Sequence, residues 1–489
     1  MMSINIKDVT FEFVDGLIIT AFEDGENNST ELTNIINSTT FKGREGEIFY
    51  IAELNEKVKY KIFVGLGKKE LLNGEVLRNA MAKAAKKAKE LKIEKIGVEF
   101  FDTDKICVGG RIKGITEGMR LALYSFDKYK EQKSTYSPQI YISGVPTQKL
   151  EKATERLEEV NNLVDGVIRA RDLINEPANS IYPESLAHEA TKIGDECGFD
   201  VQVFDEKECK DLGMKAFLSV GMGSSRKPRL IVMRYMGDKD SSDVLGLVGK
   251  GLTYDSGGYS LKPSNSMVGM NGDMGGAAVV IGAMAAIAKN KLKKNVVAVV
   301  AACENLVSGA AYKPGDIIGS MAGKTIEVLN TDAEGRLTLI DAITYIIEKE
   351  GATKVVDLAT LTGAAIVALG NYTTALMSND EDFYDEFMRA ADVTDEIFWR
   401  MPTFKHYRKQ ILGEKADLKN VDANGAGTIV AGMFLKEFVQ DKPWIHLDIA
   451  GTSDTKSPIS EYIVKGGTGT PVRTLYYLAK GPCGCHKNK

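Results

Sequence analysis

The sequence predicts a two-domain α/β protein in which a long helix joins an N-terminal domain to a larger C-terminal one. Three observations lead to this prediction. Strand-like and helical patterns alternate in both halves, a long charged helical pattern lies between them, and 489 residues exceed one ordinary hydrophobic core. We place the domains at residues 1–165 and 166–489 and expect a mixed, mainly parallel central sheet in the second.

The N-terminal domain alternates strands and helices and has no proline before Pro138. Strand-like runs occupy 46–54, 60–67 and 95–101, and the helical pattern VLRNAMAKAAKKAKELK occupies 76–92. Its lysines resemble a nucleic-acid patch only superficially. Alanine and leucine at helical spacing favour an amphipathic helix with a solvated basic face. The alternation predicts a largely parallel sheet.

The next element is a single helical pattern over 148–174, dense in charges of both signs. It ends at NEPANSIYPES, where Pro177 and Pro183 stop one helix and start the next. We expect this helix to bridge the two domains.

The C-terminal domain returns to short, almost wholly apolar strands, which are typical of a sheet buried on both faces. A helix is predicted at 277–290, and TIEVL (325–329) reads as a buried strand. The other predicted strands are DVQVFD, RLIVMRY, SDVLGLVGKG, NVVAVVAACEN, KVVDLATLTG and PWIHLDIAG. Each ends in a Gly, Asp, Asn or Thr cluster, and open α/β sheets carry their working groups beyond the carboxyl ends of the strands.

Composition limits the function classes. The chain is 44% hydrophobic and 26% charged with a net charge of −5, which gives no bulk drive toward nucleic acid or anionic membrane. The N-terminus lacks a signal-peptide pattern, and the longest apolar stretches fall short of the roughly 18–20 residues that span a bilayer. Six scattered cysteines suit reduced thiols, so we expect a cytoplasmic protein. The terminal CGCH (483–486) is a possible metal motif, but a disordered tail is the preferred interpretation.

A first cluster of charged residues follows the strand at 242–251. Lys250, Asp255 and Lys262 lie among glycines and prolines in VGKGLTYDSGGYSLKP. A phosphate-binding Walker loop is excluded, because Val244 stands where its first glycine is needed and Gly251 where Ser or Thr is needed. A turn that merely tolerates charge is the weaker alternative.

Two further clusters supply carboxylates. Asp273 precedes the helix at 277–290, where alone it would be a helix-start carboxylate. NTDAEGRL (330–337) places Asp332 and Glu334 two apart, so an extended segment would point both carboxylates to one side. Four converging carboxylates repel one another unless cations neutralise them. None of the four histidines lies in these clusters, so a carboxylate-rich site for two divalent ions is favoured over a histidine zinc site.

With these motifs the sequence resembles the leucyl aminopeptidases, the M17 peptidases with two metal ions. NTDAEGRL is the signature of that family, and VGKGxxxDSGGxSLKP and DMGGAA accompany it. Further matches are ARDLINEPAN (170–179), DLATLTGAAIVALG (357–370), ADLKNxxxxGAGTI (416–429) and HLDIAG (446–451). The resemblance covers roughly the C-terminal two thirds and implies an N-terminal α/β domain of macro-like type with an oligomerisation or regulatory role.

The resemblance implies a role for each matched residue. One metal ion would be held by Lys250, Asp255, Asp273 and Glu334, and the other by Asp255, Asp332 and Glu334. Lys262 and Arg336 would be the catalytic cations. Arg336, Gly335 and Leu361 would bind a bicarbonate that serves as general base. The ions would be Zn²⁺ or Mn²⁺, with Co²⁺ or Mg²⁺ possible, because carboxylates accept all of them.

The implied reaction is removal of N-terminal residues from peptides by a two-metal-activated water. Leucine and other apolar first residues would be favoured, and the implied substrate-binding residues are Lys262, Met270, Thr360, Gly363 and Ala450. Ser453 replaces a larger apolar residue of some members, which would broaden the preference. Because an α-amine ligates a metal only when unprotonated and has a reference pKa of about 8, we expect better activity at mildly alkaline pH.

The resemblance also implies a homohexamer built as a dimer of trimers. The alternative function is a DNA-binding or regulatory protein, since some family members double in that role; the acidic net charge argues against it, and a salt-dependent gel shift would test it. An inactive paralogue is disfavoured because positions 250, 255, 262, 273, 332, 334 and 336 all carry competent side chains.

Overall fold

The computed structural model describes Met2 and residues 4–7, 13–24, 30–53 and 58–481. These residues form two compact units. The first contains the chain up to Val164 together with the segment Ser457–Val464, and the second begins at Asp165. The division at Val164 falls inside one long helix. The CGCH tail lies outside the described residues.

The first unit is a six-stranded sheet with helices. Its elements in chain order are β1 (Ile4–Ile6), β2 (Gly16–Ala21), α1 (Thr30–Ser38), β3 (Ile48–Ala52), β4 (Tyr60–Gly65), α2 (Gly74–Glu90), β5 (Lys95–Glu99), α3 (Val108–Ala122) and β6 (Gln139–Ser143), followed by the long helix α4 (Leu150–Asn175). The sheet order is β1-β6-β5-β2-β4-β3, and within the described residues only the β3–β4 pair is antiparallel. This mainly parallel sheet is the one that the alternating pattern predicts.

The second unit is built around an eight-stranded sheet. Its first half contains α5 (Pro183–Cys197), β7 (Asp200–Phe204), α6 (Glu206–Asp211), α7 (Lys215–Gly221), β8 (Arg229–Met236), β9 (Val244–Asp255), α8 (Ser264–Met267), α9 (Gly275–Lys289), β10 (Asn295–Asn305), β11 (Ile317–Gly319), β12 (Thr325–Glu327) and α10 (Gly335–Glu348). Its second half contains β13 (Lys354–Ala359), α11 (Gly363–Leu369), β14 (Thr374–Ser378), α12 (Glu381–Thr394), β15 (Phe398–Arg400), α13 (Lys405–Arg408), β16 (Leu418–Lys419), α14 (Gly427–Lys436), β17 (Trp444–Asp448), β18 (Asp454–Thr455), β19 (Gly466–Gly467) and α15 (Val472–Lys480).

The large sheet has the order β15-β14-β17-β13-β9-β10-β8-β7. Its centre is parallel, because β9 pairs in parallel with both β10 and β13, and β13 pairs in parallel with β17. Antiparallel pairs occur toward both edges. The predicted fold class, two α/β units with a mixed, mainly parallel central sheet, is confirmed. The carboxyl ends of β9, β13 and β17 therefore lie side by side.

The prediction for TIEVL is wrong in one respect. Only Thr325–Glu327 form a strand, and it belongs to a separate three-stranded sheet of order β11-β12-β16. Thr325 is exposed, and the strand pairs only with the short strands β11 and β16. NTDAEGRL therefore does not leave a central strand.

Helix α9 and the 3₁₀ turn before it make one helical run, Met270–Lys289, of 20 residues. By length and composition alone this run could cross a membrane, and 83% of its apolar window is buried inside the protein. Every residue of α9 from Gly275 to Ala288 is buried. The apolar stretch is thus longer than the sequence alone suggested, and it packs as a core helix.

Candidate metal centre

The centre of the site is Lys250, which lies on β9 and is 3% exposed. Its Nζ atom lies 2.8 Å from Asp273 Oδ1 and 3.0 Å from Glu334 Oε1, and it donates to the Thr360 carbonyl at 3.0 Å. Gly335 allows this arrangement, because a Cβ atom there would lie 2.7 Å from the Lys250 Nζ. The glycine of the EGR sequence is therefore needed for the close approach of the lysine.

Asp255 ends β9 and is held on both sides. Its Oδ2 lies 2.8 Å from Lys262 Nζ, and its Oδ1 accepts 2.8 Å hydrogen bonds from the Gly257 amide and from Asn305 Nδ2. Lys262 also pairs with Asp332. The lysine thus bridges two of the predicted ligands.

Three predicted ligands form one compact group. One carboxylate oxygen from each of Asp255, Asp273 and Glu334 lies within 4.8 Å of the others, and all three residues are buried. Among the described residues, Asp273 Oδ2 and Glu334 Oε2 are buried and have no hydrogen-bond partner. Because an unsatisfied buried carboxylate oxygen is costly, these two atoms fit a cation-binding role.

The electrostatics reflect this crowding. Burial raises the pKa of Glu334, as does the nearby carboxylate of Asp255, while Lys250 opposes the shift. Burial likewise raises the pKa of Asp273. For Lys250, burial favours the neutral amine, but the surrounding carboxylates raise the pKa of the ammonium well above its ordinary value. A site that perturbs several pKa values through burial and charge pairs has the features of a functional centre.

NTDAEGRL forms a turn and a helix start instead of an extended segment. Asp332 lies in the turn, and Glu334 has helical angles (φ −78°, ψ −35°) at the N-cap of α10. The period-two explanation for the shared direction of Asp332 and Glu334 is therefore wrong. Their side chains also differ in exposure, 35% for Asp332 and 2% for Glu334, and Glu334 lies against the buried Lys250 of β9.

Arg336 lies in the first turn of α10 and is 6% exposed. Its Nη1 donates to the Asn420 carbonyl at 2.7 Å, whereas its buried Nε has no partner among the described residues. Burial lowers the pKa of Arg336 to about 10, against the opposing effect of Glu334 and Asp448. A buried guanidinium beside a helix N-terminus is a favourable position for an anion.

The predicted substrate-binding residues are placed unevenly. Thr360 contacts the centre directly, since its Oγ1 donates to Asp273 Oδ1 at 2.7 Å. Ala450 and Leu361 are joined through Asp448, which accepts both of their backbone N–H groups. Met270 lies on the 3₁₀ turn that carries Asp273, and Gly363 begins α11.

Three buried residues of the site had no predicted role. Asn305 orients Asp255, Asn420 accepts from Arg336 through its carbonyl, and Asp448 ties the ends of β13 and β17. All three lie in sequence segments already singled out: the end of NVVAVVAACEN, ADLKN and HLDIAG. Their position in those segments was the signal in the sequence that could have identified them. Their hydrogen-bond partners are identified only by the structure.

The α/β fold and the cluster of three buried carboxylates together fit a metal-dependent enzyme. The model of the catalytic domain of the cytosol aminopeptidase family, M17, matches residues 168–476, and the model of the N-terminal domain of the same family matches residues 20–133. The chain therefore belongs to the cytosol aminopeptidase family. Membership makes it a metal-dependent aminopeptidase, which is a peptidase hydrolase.

Individual relatives agree. A probable cytosol aminopeptidase of Clostridium perfringens is 51% identical over 479 residues, covering 96% of this chain and 97% of the relative. A mutant of tomato leucine aminopeptidase has a TM-score of 0.86 and 31% identity, covering 98% of this chain and 96% of its own. The bottromycin maturation enzyme BotP in complex with Mn has a TM-score of 0.85 and 30% identity, covering 95% and 99%. These comparisons give no support to the DNA-binding alternative.

Proposed function

We propose that this aminopeptidase removes leucine and other apolar residues from peptide N-termini at a centre of two divalent cations. One observation carries the proposal. Two buried carboxylate oxygens, Asp273 Oδ2 and Glu334 Oε2, lack partners in a cluster of three buried acids among the described residues. A buried carboxylate oxygen without a hydrogen-bond partner is costly, and a bound cation would compensate that cost at both residues.

The proposed ligands divide into two overlapping sets. Lys250, Asp255, Asp273 and Glu334 hold one ion, and Asp255, Asp332 and Glu334 hold the other. When bound, such a pair of ions supplies Lewis-acid activation of water and charge stabilisation at the scissile carbonyl. The raised pKa of Glu334, caused first by burial and then by the Asp255 carboxylate, supports its place in both sets, because bound cations would favour the charged form that burial and Asp255 disfavour.

Lys250 needs a change of protonation to act as a ligand. The carboxylates around it keep its ammonium form, and an amine binds a metal only when neutral. Metal binding and loss of the Lys250 proton are therefore coupled. The affinity of the site for metal should rise as the pH rises, because the proton and the ion compete for the same amine.

Lys262 and Arg336 are the proposed catalytic cations. Burial opposes the charge on Lys262, but Asp255 and Asp332 raise the pKa of its ammonium, so it stays charged and suits an oxyanion. Arg336 offers its Nε, which has no partner among the described residues, beside Gly335 at the start of α10, where a bicarbonate would act as general base. Leu361, the third proposed bicarbonate residue, already donates its N–H to Asp448.

The substrate side of the proposal rests on position. Thr360, Met270 and Ala450 are each partly exposed, and Gly363 is exposed, as is required of residues that line an open pocket. Together with Lys262 they form the proposed slot for the first side chain. Activity should improve at mildly alkaline pH, where the α-amine of the peptide loses its proton.

Three further properties belong to the proposal. The ions are Zn²⁺ or Mn²⁺, with Co²⁺ or Mg²⁺ able to substitute; the Mn complex of BotP supports Mn²⁺. The assembly is a homohexamer, a dimer of trimers, with the N-terminal unit in an oligomerisation or regulatory role. The location is the cytoplasm, in keeping with relatives called cytosol aminopeptidases.

The decisive experiment compares wild type with Glu334→Ala on leucyl-p-nitroanilide in the presence of Mn²⁺ or Zn²⁺. We expect at least a roughly 1000-fold loss of kcat/KM, and a metal content below two ions per chain by elemental analysis. Glu348→Ala is the matched control, because Glu348 is an exposed glutamate at the other end of the same helix. Equal activity of wild type and Glu334→Ala would overturn the assignment of the bridging ligand.

A further inference from the structure

We propose that Asp448 is a positioning residue that sets both walls of the substrate pocket through hydrogen bonds. The inference rests on the proposed function, since the pocket residues belong to it. Asp448 ends β17, is 1% exposed, and is paired in register with Ala359 of β13 and Ala375 of β14. It therefore sits between the loops that follow two neighbouring strands.

The carboxylate of Asp448 is saturated by those loops. Its Oδ1 accepts from the N–H groups of Leu361, Thr362 and Ala450 at 3.1, 3.4 and 3.2 Å. Its Oδ2 accepts from Thr362 Oγ1 at 2.6 Å. One side chain thus fixes the backbone beyond β13 and the backbone beyond β17 relative to each other.

The segment held by Asp448 also bears on the metal centre. Thr360, immediately before Leu361, accepts from Lys250 through its carbonyl at 3.0 Å and donates from Oγ1 to Asp273 at 2.7 Å. A shift of the 360–362 backbone would therefore move partners of two proposed ligands. Outer-shell partners of this kind typically change metal affinity or activity by roughly 10–100-fold.

Asp448 has a second property, its charge. Its carboxylate acts electrostatically on Arg336 and on His446, so a counter-ion role is the competing explanation. Substitution of Asp448 by asparagine separates the two roles, because it removes the charge and keeps the hydrogen-bonding atoms. An asparagine oxygen can accept the three backbone N–H groups, and its amide can donate to Thr362 Oγ1.

The hydroxyl of Thr428 allows the Thr362 hydroxyl to become the acceptor of its hydrogen bond with residue 448. Thr362 Oγ1 lies 2.8 Å from Thr428 Oγ1, and either atom can be the donor. In the Asp448→Asn variant, Thr362 would donate to Thr428 in place of the carboxylate. Asp448→Asn thus preserves the hydrogen bonds and removes the charge, whereas Asp448→Ala removes both.

The experiment measures kcat and KM of both variants on leucyl- and alanyl-p-nitroanilide with Mn²⁺, and Mn²⁺ affinity by calorimetry. For Asp448→Ala we expect about a 100-fold loss of kcat/KM, a smaller preference for leucine over alanine, and about 10-fold weaker Mn²⁺ binding. Asp448→Asn should stay within about 5-fold of wild type in all three, because its hydrogen bonds are kept. Wild-type behaviour of the alanine variant, or an asparagine variant as impaired as alanine, would overturn the inference.

A second pair keeps the test decisive if Asp448→Ala does not fold. Thr362→Val removes the hydroxyl that donates to Asp448 and that also caps α11 by accepting from the Ala365 N–H, and Thr362→Ser retains it. We expect roughly a 10-fold loss of kcat/KM for valine and recovery with serine. Equal activity of the two variants would contradict the positioning role. Failure of the wild type to cleave leucyl-p-nitroanilide would instead contradict the proposed function, so the two failures are distinguishable.

Discussion

Both units of the molecule bury a cluster of charges, and the two clusters are built differently. In the first unit, Arg78 on α2 is 1% exposed, and its Nε donates to Glu117 on α3 at 2.7 Å. Arg78 also pairs with Glu75, and the other oxygen of Glu117 faces the Lys113 ammonium at 3.9 Å. In the second unit, three buried carboxylates surround Lys250.

The difference is the balance of charges. In the first cluster two cations, Arg78 and Lys113, face two carboxylates. In the second, four carboxylates face two lysines: Asp273 and Glu334 lie against Lys250, and Asp255 and Asp332 lie against Lys262. Burial of charge alone does not identify a functional site. An excess of buried carboxylates whose oxygens converge within 4.8 Å does.

The variant with the largest expected effect on this comparison is Glu117→Gln in the first unit. Because Arg78 would lose its buried carboxylate partner and keep Glu75, whose side chain is 34% exposed, we expect the unit to be destabilised by about 3 kcal/mol, the lower end of the range for a broken buried pair. Amide hydrogen exchange at α2 and α3 measures this effect. Tryptophan fluorescence would miss it, since Trp399 and Trp444 both lie in the second unit.

The control is kcat with leucyl-p-nitroanilide, which Glu117→Gln should leave within about twofold of wild type, because the first cluster has no proposed catalytic role. Replacing both partners, as in Arg78→Met with Glu117→Leu, should destabilise the unit less than the single change, since the Arg78 charge is then removed together with the carboxylate that compensates it. A large loss of kcat in Glu117→Gln would mean that the first cluster is functional after all, and the distinction would fail.

Much of the fold could be predicted because the strands have a distinctive local pattern. NVVAVVAACEN and SDVLGLVGKG are apolar, flanked by polar turns and alternate with helices, and they form the central strands β10 and β9. TIEVL has the same local composition but forms only a three-residue strand in a small sheet. Composition shows that a segment prefers extended backbone and burial, but it does not show which sheet receives it.

The residues of the site also differ in how well the sequence predicts them. Motif residues such as Lys250 and Glu334 were found because their sequence context is distinctive, and the structure brings them into contact. Asp448 was not assigned a role, because two of the residues that it holds, Leu361 and Thr362, are 87 and 86 residues away in sequence, in the loop after β13. A hydrogen bond between strand ends leaves no periodic trace in the sequence. Residues that hold a site in shape are therefore harder to predict than the residues that form it.

A second test removes a cation from the second cluster. Lys262→Met should lower kcat by about 100–1000-fold, the usual loss when one oxyanion-stabilising group is removed. The variant should melt within a few degrees of wild type once Mn²⁺ is added, because the ions then neutralise Asp255 and Asp332. Lys293→Met is the control, since that lysine side chain is 74% exposed. An unchanged kcat would show that Lys262 serves only as a counter-ion, as Arg78 does.

The smallest expected effect comes from a balanced buried pair that lies in the second unit. His446 Nδ1 lies 2.6 Å from Asp357 Oδ1, and the Trp444 indole donates to Asp357 Oδ2 at 2.6 Å. Burial lowers the pKa of His446, but Asp357 outweighs it and raises the pKa above the usual 6.5. If a balance of buried charges marks a structural cluster, substitution of this pair should change stability and leave catalysis nearly unchanged.

The sign follows from the raised pKa. The folded protein holds the His446 proton more tightly than the unfolded chain, so the stabilisation is complete below about pH 6.5 and is lost as the pH rises through the folded value. We expect pH-dependent stability of this sign in wild type and a flatter profile in His446→Gln. Urea unfolding monitored by Trp444, whose ring stacks 6.2 Å from that of His446, measures it directly. If His446→Gln lost kcat at pH 8 as strongly as Lys262→Met, a balanced buried pair would be part of the catalytic machinery. Charge balance would then no longer separate the two kinds of cluster.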